Sequence, residues 1–109
     1  EFSYEKYQSS INANERMIID FYADWCIPCK ELDALTFSDL SVVEESKRFT
    51  AYKVDMTQTL SDETEELRNK FNIIGMPTVL IIDSEGNEIH RLTGFVDAEE
   101  FLKLLKEIK

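Results

Sequence analysis

With 109 residues, 43% of them apolar, and only three glycines and two prolines, the chain has the size and composition of one packed domain, 1–109, and excludes a low-complexity or disordered polymer. Twelve basic against 22 acidic side chains leave a formal net charge of -10, which opposes phosphate backbones and anionic lipids and argues against a nucleic-acid partner. The longest apolar stretch, Ile73 to Ile82, is interrupted by Gly75 and Pro77 and falls far short of the roughly 20 residues a membrane span needs, so no direct membrane insertion is expected. No basic, apolar leader opens the chain, which leaves the compartment undecided because a mature protein has lost its leader.

In chain order, Glu1-Phe2 precedes every element and reads as a candidate cloning remnant, and Ser3 to Asn12 reads as a first helix. Residues 16–23, Arg-Met-Ile-Ile-Asp-Phe-Tyr-Ala, form an almost continuous apolar run, the pattern of a strand covered on both faces. A helix is expected from the cysteines to about Thr36, and a shorter one over Ser41 to Arg48. Strands follow at 50–55 and 78–83, separated by a helix that Ser61 caps, that carries Asp62 and Glu63 at its positive end, and that stops near Asn72. Asp83 to Asn87 has the turn residues of an antiparallel hairpin leading into a strand at 88–93. The last helix begins at Asp97 and Glu100, with capping-box spacing, and repeats Ala98, Phe101, Leu102, Leu105 and Ile108 at helical intervals. The sum is an α/β chain, a mixed sheet flanked by helices.

Both cysteines lie in Trp25-Cys26-Ile27-Pro28-Cys29-Lys30, directly after an expected strand and at the start of an expected helix. A structural zinc site needs four ligands, whereas the chain holds two Cys and one His, and His90 sits in the distant hairpin. A purely structural disulfide over so short a loop removes little unfolded-state entropy. Redox chemistry is the reading these residues favour, with no metal and no cofactor beyond a Cys26–Cys29 disulfide. Unpaired amides and the dipole at a helix start favour a thiolate, which makes Cys26 the nucleophile. Cys29, one turn along and expected to be the more buried sulfur, resolves the mixed disulfide. Pro28 falls in the first helical turn, where its missing N–H costs little and its ring stiffens the loop.

Asp20-Phe-Tyr-Ala-Asp-Trp-Cys-Ile-Pro-Cys-Lys30, Lys53-Val-Asp55 and Gly75-Met-Pro-Thr78 resemble the motifs of the thioredoxin superfamily, in order and over nearly the whole chain. Within it, Tyr22 to Glu31, Thr36-Phe-Ser-Asp39 and Thr93-Gly-Phe-Val-Asp-Ala98 resemble the C-terminal periplasmic domain of DsbD-type thiol:disulfide interchange proteins. The resemblance implies a thioredoxin fold, a sheet of four strands, or five if the family's first edge strand is present, although the N-terminus here is short for it. It implies that Asp20 is a buried carboxylate moving protons for Cys29, with Lys53 beside it. It implies that Pro77 is a cis-proline after Met76, abutting the cysteine loop where an extended substrate pairs. Trp25 reads either as a partner contact beside Cys26 or as a core aromatic, and Tyr22 as core or site lining. Asp33 falls where the DsbD-like domains carry a second acidic residue near the cysteines, and a solvated face is the plain alternative for it and for Asp24. His90 and the acidic stretch 62–66 read as structural.

Pro28, the nearby acids and the lack of His between the cysteines favour a reductant over an oxidant. The leading expectation is an electron-relaying disulfide reductase, a monomer in the periplasm or another extracytoplasmic space, excised from or part of a larger membrane protein. Its partners would be protein disulfides and another thiol redox protein or membrane electron donor. A freestanding cytosolic thioredoxin and a non-catalytic thioredoxin-like binding module are the rival readings.

Overall fold

The computed structural model describes residues 2–109; Glu1, the first residue of the expected domain, lies outside them. Helix α1 (Tyr4–Asn12) starts at Ser3, whose hydroxyl accepts the Lys6 amide. The Phe2 ring packs edge-on against Tyr52 and Phe71, at centroid distances of 5.4 and 6.1 Å. Strand β1 (Met17–Tyr22) runs up the middle of the molecule, followed by helix α2 (Ile27–Glu31), a π-helical turn over Leu32–Thr36 and helix α3 (Leu40–Ser46). Strand β2 (Thr50–Asp55), helix α4 (Asp62–Phe71), the hairpin of β3 (Thr78–Ile82) and β4 (Glu88–Thr93), and helix α5 (Ala98–Lys106) complete the chain.

The four strands form one sheet in the order β2-β1-β3-β4, with β1 parallel to β2 and antiparallel to β3, and β4 antiparallel to β3. No fifth strand occurs among the described residues, so β2 is an edge. The strand compositions follow from this order. The two inner strands are buried at nearly every position, which is why they read as unbroken apolar runs, whereas β2 and β4 alternate as edge strands do.

Successive side chains of β1 point to opposite faces. Met17, Ile19 and Phe21 enter one core with Phe71, Leu80 and Ile82. Ile18 enters the other with Leu32, Val42, Val79, Phe101 and Leu105. Asp20 has the parity of Ile18 and therefore faces the second core, opposite Lys53 on β2 in the parallel register.

The helix after the cysteines departs from expectation. It begins as an α-helix but widens at Leu32, where the Phe37 amide donates to the Leu32 carbonyl at 2.8 Å, five residues back. The turn is held where the Thr36 hydroxyl, fully buried, donates to the Val96 carbonyl in the loop before α5. Arg91 closes the C-terminal end of α4 by donating to the Phe71 and Asn72 carbonyls at 2.9 and 3.2 Å, while Glu88 pairs with the same guanidinium.

Candidate active site

The site is built at the end of β1. After Tyr22 the chain turns through Ala23 to Cys26, closed by the Cys26 amide donating to the Ala23 carbonyl at 3.1 Å. Cys26 is the N-cap of α2 with extended backbone, and its Sγ accepts the Cys29 amide at 3.2 Å. Pro28 sits inside the first turn, where no helical amide is lost. The two sulfurs are joined as a disulfide, with Cα atoms 5.3 Å apart. A sulfur that already faces a backbone N–H at a helix start is placed to be stabilised as an anion once the bond is opened.

The expectation that Cys29 would be the more buried of the pair is not met: both cysteines are 4% exposed. Part of the cover comes from outside their own helix, because Tyr22 and Met76 pack against the cluster that the cysteines form with Ala23. The Met76–Pro77 peptide is cis, and the Pro77 carbonyl accepts the Gly94 amide at 3.1 Å, tying this loop to the end of β4. Around the buried pair the rim is apolar and open. Trp25 is 56% exposed and Ile74 almost wholly so, with Ile27 and Phe95 also at the surface.

Asp20 lies beneath this rim, 5% exposed. One carboxylate oxygen is 3.8 Å from Lys53 Nζ and the other is buried without a protein partner. Burial lifts its pKa from 3.8 to about 6; Lys53 holds it down and Asp33 pushes it further up. Lys53 bonds Asp33 more closely, at 2.9 Å, and lies 4.9 Å from the centroid of the Tyr22 ring. Burial lowers the Lys53 pKa, but the Asp33 hydrogen bond and the Asp20 charge outweigh it, so the ammonium is held above its ordinary value. A cavity of about 230 Å³ borders Asp20, Asp33 and Lys53 and continues between Phe37, Val42 and Phe101.

The structure thus gathers the sequence-derived residues into two adjoining groups, Cys26, Cys29 and Met76 in one and Asp20, Lys53 and Asp33 in the other, with Trp25, Pro28 and Pro77 framing the first. Thr57 escaped the sequence reading. Its hydroxyl accepts the Asp24 amide at 2.8 Å and its carbonyl accepts the Trp25 indole N–H at 3.4 Å. The available signal was the spacing of Asp55 and Thr57, in which a side-chain carboxylate accepts the amide two residues on. His90 pairs with Glu107 at 2.9 Å and serves to fasten β4 to α5. Among the described residues no group of three or more His, Cys, Asp or Glu side chains could hold a metal ion, and no helix is long and apolar enough to cross a membrane.

A mixed sheet between helices, with a CxxC disulfide where a strand gives way to a helix and a cis-proline loop against it, defines the class of thioredoxin-like thiol:disulfide oxidoreductases. The chain belongs to the thioredoxin-like domain family, whose model matches residues 4–109. More narrowly, it is 41% identical over 99 residues to the thiol:disulfide interchange protein DsbD of Haemophilus influenzae, an alignment covering 89% of this chain and 17% of that protein. Against DsbD of Yersinia pestis the identity is 42% over 92 residues, covering 83% and 15%. The chain therefore spans about a sixth of the length of these relatives. The reduced C-terminal domain of Neisseria meningitidis DsbD superposes with a TM-score of 0.81 at 26% identity, over 98% of this chain and 97% of that one.

Proposed function

We propose that this domain is a disulfide reductase that relays electrons, taking them from an upstream dithiol protein and passing them to protein disulfides in an extracytoplasmic compartment. The observation that carries the reading is the closed Cys26–Cys29 pair at the start of α2, with Cys26 Sγ already accepting a backbone amide. In the reduced state the Cys26 thiolate attacks one sulfur of a substrate disulfide, forming a mixed disulfide and expelling the other substrate sulfur as a thiolate. Cys29 then loses its proton and attacks Cys26 Sγ; the internal bridge closes and the second substrate thiolate leaves. Two electrons pass to the substrate, and a partner dithiol restores them by the same exchange run in reverse.

Asp20 is the proton acceptor for Cys29 in this reading. Its buried carboxyl, lifted to about 6, is poised to exchange a proton near neutrality. Lys53 and Asp33 set its affinity. Trp25, Met76 and Pro77 shape the surface on which an extended substrate lies, with Pro28 keeping the cysteine loop stiff. The acids also support the direction: negative charge near the cysteines disfavours the thiolate and so makes the reduced pair the better donor. The likeness to DsbD supports the compartment, a dedicated thiol redox partner, and a place for residues 1–109 as a single domain within a larger membrane protein.

Insulin reduction by dithiothreitol tests the chemistry. The parent domain accelerates it, Cys26→Ser abolishes the acceleration, and Cys29→Ser accumulates a mixed disulfide visible by mass. Equal rates for the parent and Cys26→Ser leave a binding module as the surviving reading. Equilibration against glutathione tests the direction, and a potential near the roughly -120 mV of strong oxidants overturns the reductase assignment.

A further inference from the structure

The loop joining β2 to α4 contributes nothing to the two groups above, yet Thr57 in it makes a connected set of polar contacts aimed at the residues just before Cys26. Its hydroxyl accepts the Asp24 amide at 2.8 Å and donates to Asp55 Oδ1 at 2.5 Å; its own amide donates to the same oxygen at 2.9 Å. Its carbonyl receives both the Trp25 indole N–H, at 3.4 Å, and the Thr59 amide, at 3.0 Å. One residue earlier, the Met56 amide donates to the Tyr22 carbonyl at 2.7 Å, so the loop is joined both to the end of β1 and to the centre of the turn that follows it.

Asp24 and Trp25 are the two central residues of the Ala23–Cys26 turn. Trp25 is more than half exposed and so has no core to hold its ring in one place. Cys26 is 4% exposed and the half-exposed Trp25 directly precedes it, which puts the indole next to the surface a protein disulfide approaches. We infer that Thr57 is a positioning residue for the docking of protein disulfides: it fixes the turn before the nucleophilic cysteine and thereby the pose of Trp25 at the rim. This rests on the reductase reading and names how its substrate is received.

The chemistry requires a hydroxyl. Asp55 accepts a hydrogen bond from the Thr57 hydroxyl, which turns a lone pair toward the Asp24 amide; valine has the shape but neither function, and serine has both. A small disulfide needs no rim, so the loss falls on large substrates alone.

The experiment compares Thr57→Val and Thr57→Ser with the parent. Trp25 is the chain's only tryptophan, so acrylamide quenching and anisotropy of its fluorescence in the disulfide form read the rim directly, without turnover. For Thr57→Val the expected results are stronger quenching, lower anisotropy, and a KM for insulin raised about three- to tenfold, the effect of one lost hydrogen bond, with kcat and the glutathione equilibrium constant unchanged. Thr57→Ser restores all of these. Unchanged fluorescence and KM, a defect confined to kcat, or failure of serine to rescue overturns the inference. Should Thr57→Val not fold, Asp55→Ala, which removes the acceptor that orients the hydroxyl, shifts the same readouts in the same direction, and its failure to do so counts equally against the idea. A parent inert toward insulin removes the reductase reading and the docking role with it; an active parent indistinguishable from Thr57→Val removes only the latter.

Discussion

Replacing Asp20 by Asn tests whether the buried carboxyl opposes folding at neutral pH, as its surroundings dictate. The residue is 5% exposed, one oxygen lacks a protein partner, and Lys53 Nζ stands 3.8 Å from the other. Its pKa rises from 3.8 to about 6, chiefly through burial. The folded state therefore binds the proton more tightly than the unfolded chain does. Stability from this group is complete below about pH 4 and is lost as pH climbs through about 6, the reverse of a carboxylate stabilised by its partners. At about 1.4 kcal/mol per pH unit, the loss comes to ~3 kcal/mol. Asn cannot ionise and avoids it. Urea unfolding of the disulfide forms from pH 4 to 8 should show the Asn variant gaining on the parent by ~3 kcal/mol across that range, with any constant offset reflecting the exchange of an amide for an acid. On the proposed role of Asp20 as proton acceptor for Cys29, the same variant should reduce insulin more slowly. A stability difference that stays flat with pH, or shrinks as pH rises, refutes the reasoning.

Four further outcomes follow from contacts described above. Asp33→Asn removes a like charge and frees Lys53 to turn toward Asp20, so the Asp20 carboxyl, followed by carbon NMR, should titrate below about 6; Lys53→Met should move it above that value. Arg91→Met, which uncaps α4 and leaves Glu88 without its partner, should cost about 1–2 kcal/mol in denaturant unfolding while leaving the Cys26/Cys29 potential where it was. Leu105→Ala, at a side chain with no exposed surface, should cost about 2–5 kcal/mol by the same measurement.

Much of this architecture was legible because local chemistry and final environment agree. The unbroken apolar runs of β1 and β3 belong to strands that are covered on both faces, and Ser61, Asn72 and Asp97 stand at the helix ends their side chains suit. What escaped was set by contacts far apart in the chain. Leu32-Asp-Ala-Leu-Thr36 contains no residue that breaks an α-helix, and its widening goes with a hydroxyl bond to a carbonyl 60 positions away. The cover over the cysteines includes Met76 and Tyr22, which no spacing within the CxxC segment could disclose. Lys53 was expected beside Asp20 and is there, but its shorter contact is to Asp33, brought close by the helix that follows the cysteines. Thr57 went unnoticed because a threonine in a loop has no periodicity, and only the fold shows whose amide it meets.

The alternation along β1 has one more consequence. Position 18 enters the second core and position 20 sets a carboxyl beside Lys53 on that same face, while 17, 19 and 21 seal a hull of Phe, Leu and Ile on the other side. A single layer of backbone is thus a bulkhead between ballast and machinery. Met76 packs against both the hull and the cysteine cluster, so changes that stiffen the hull away from Met76 can raise resistance to unfolding without touching the Asp20–Lys53 pair, and the two properties are free to drift separately from one descendant to the next.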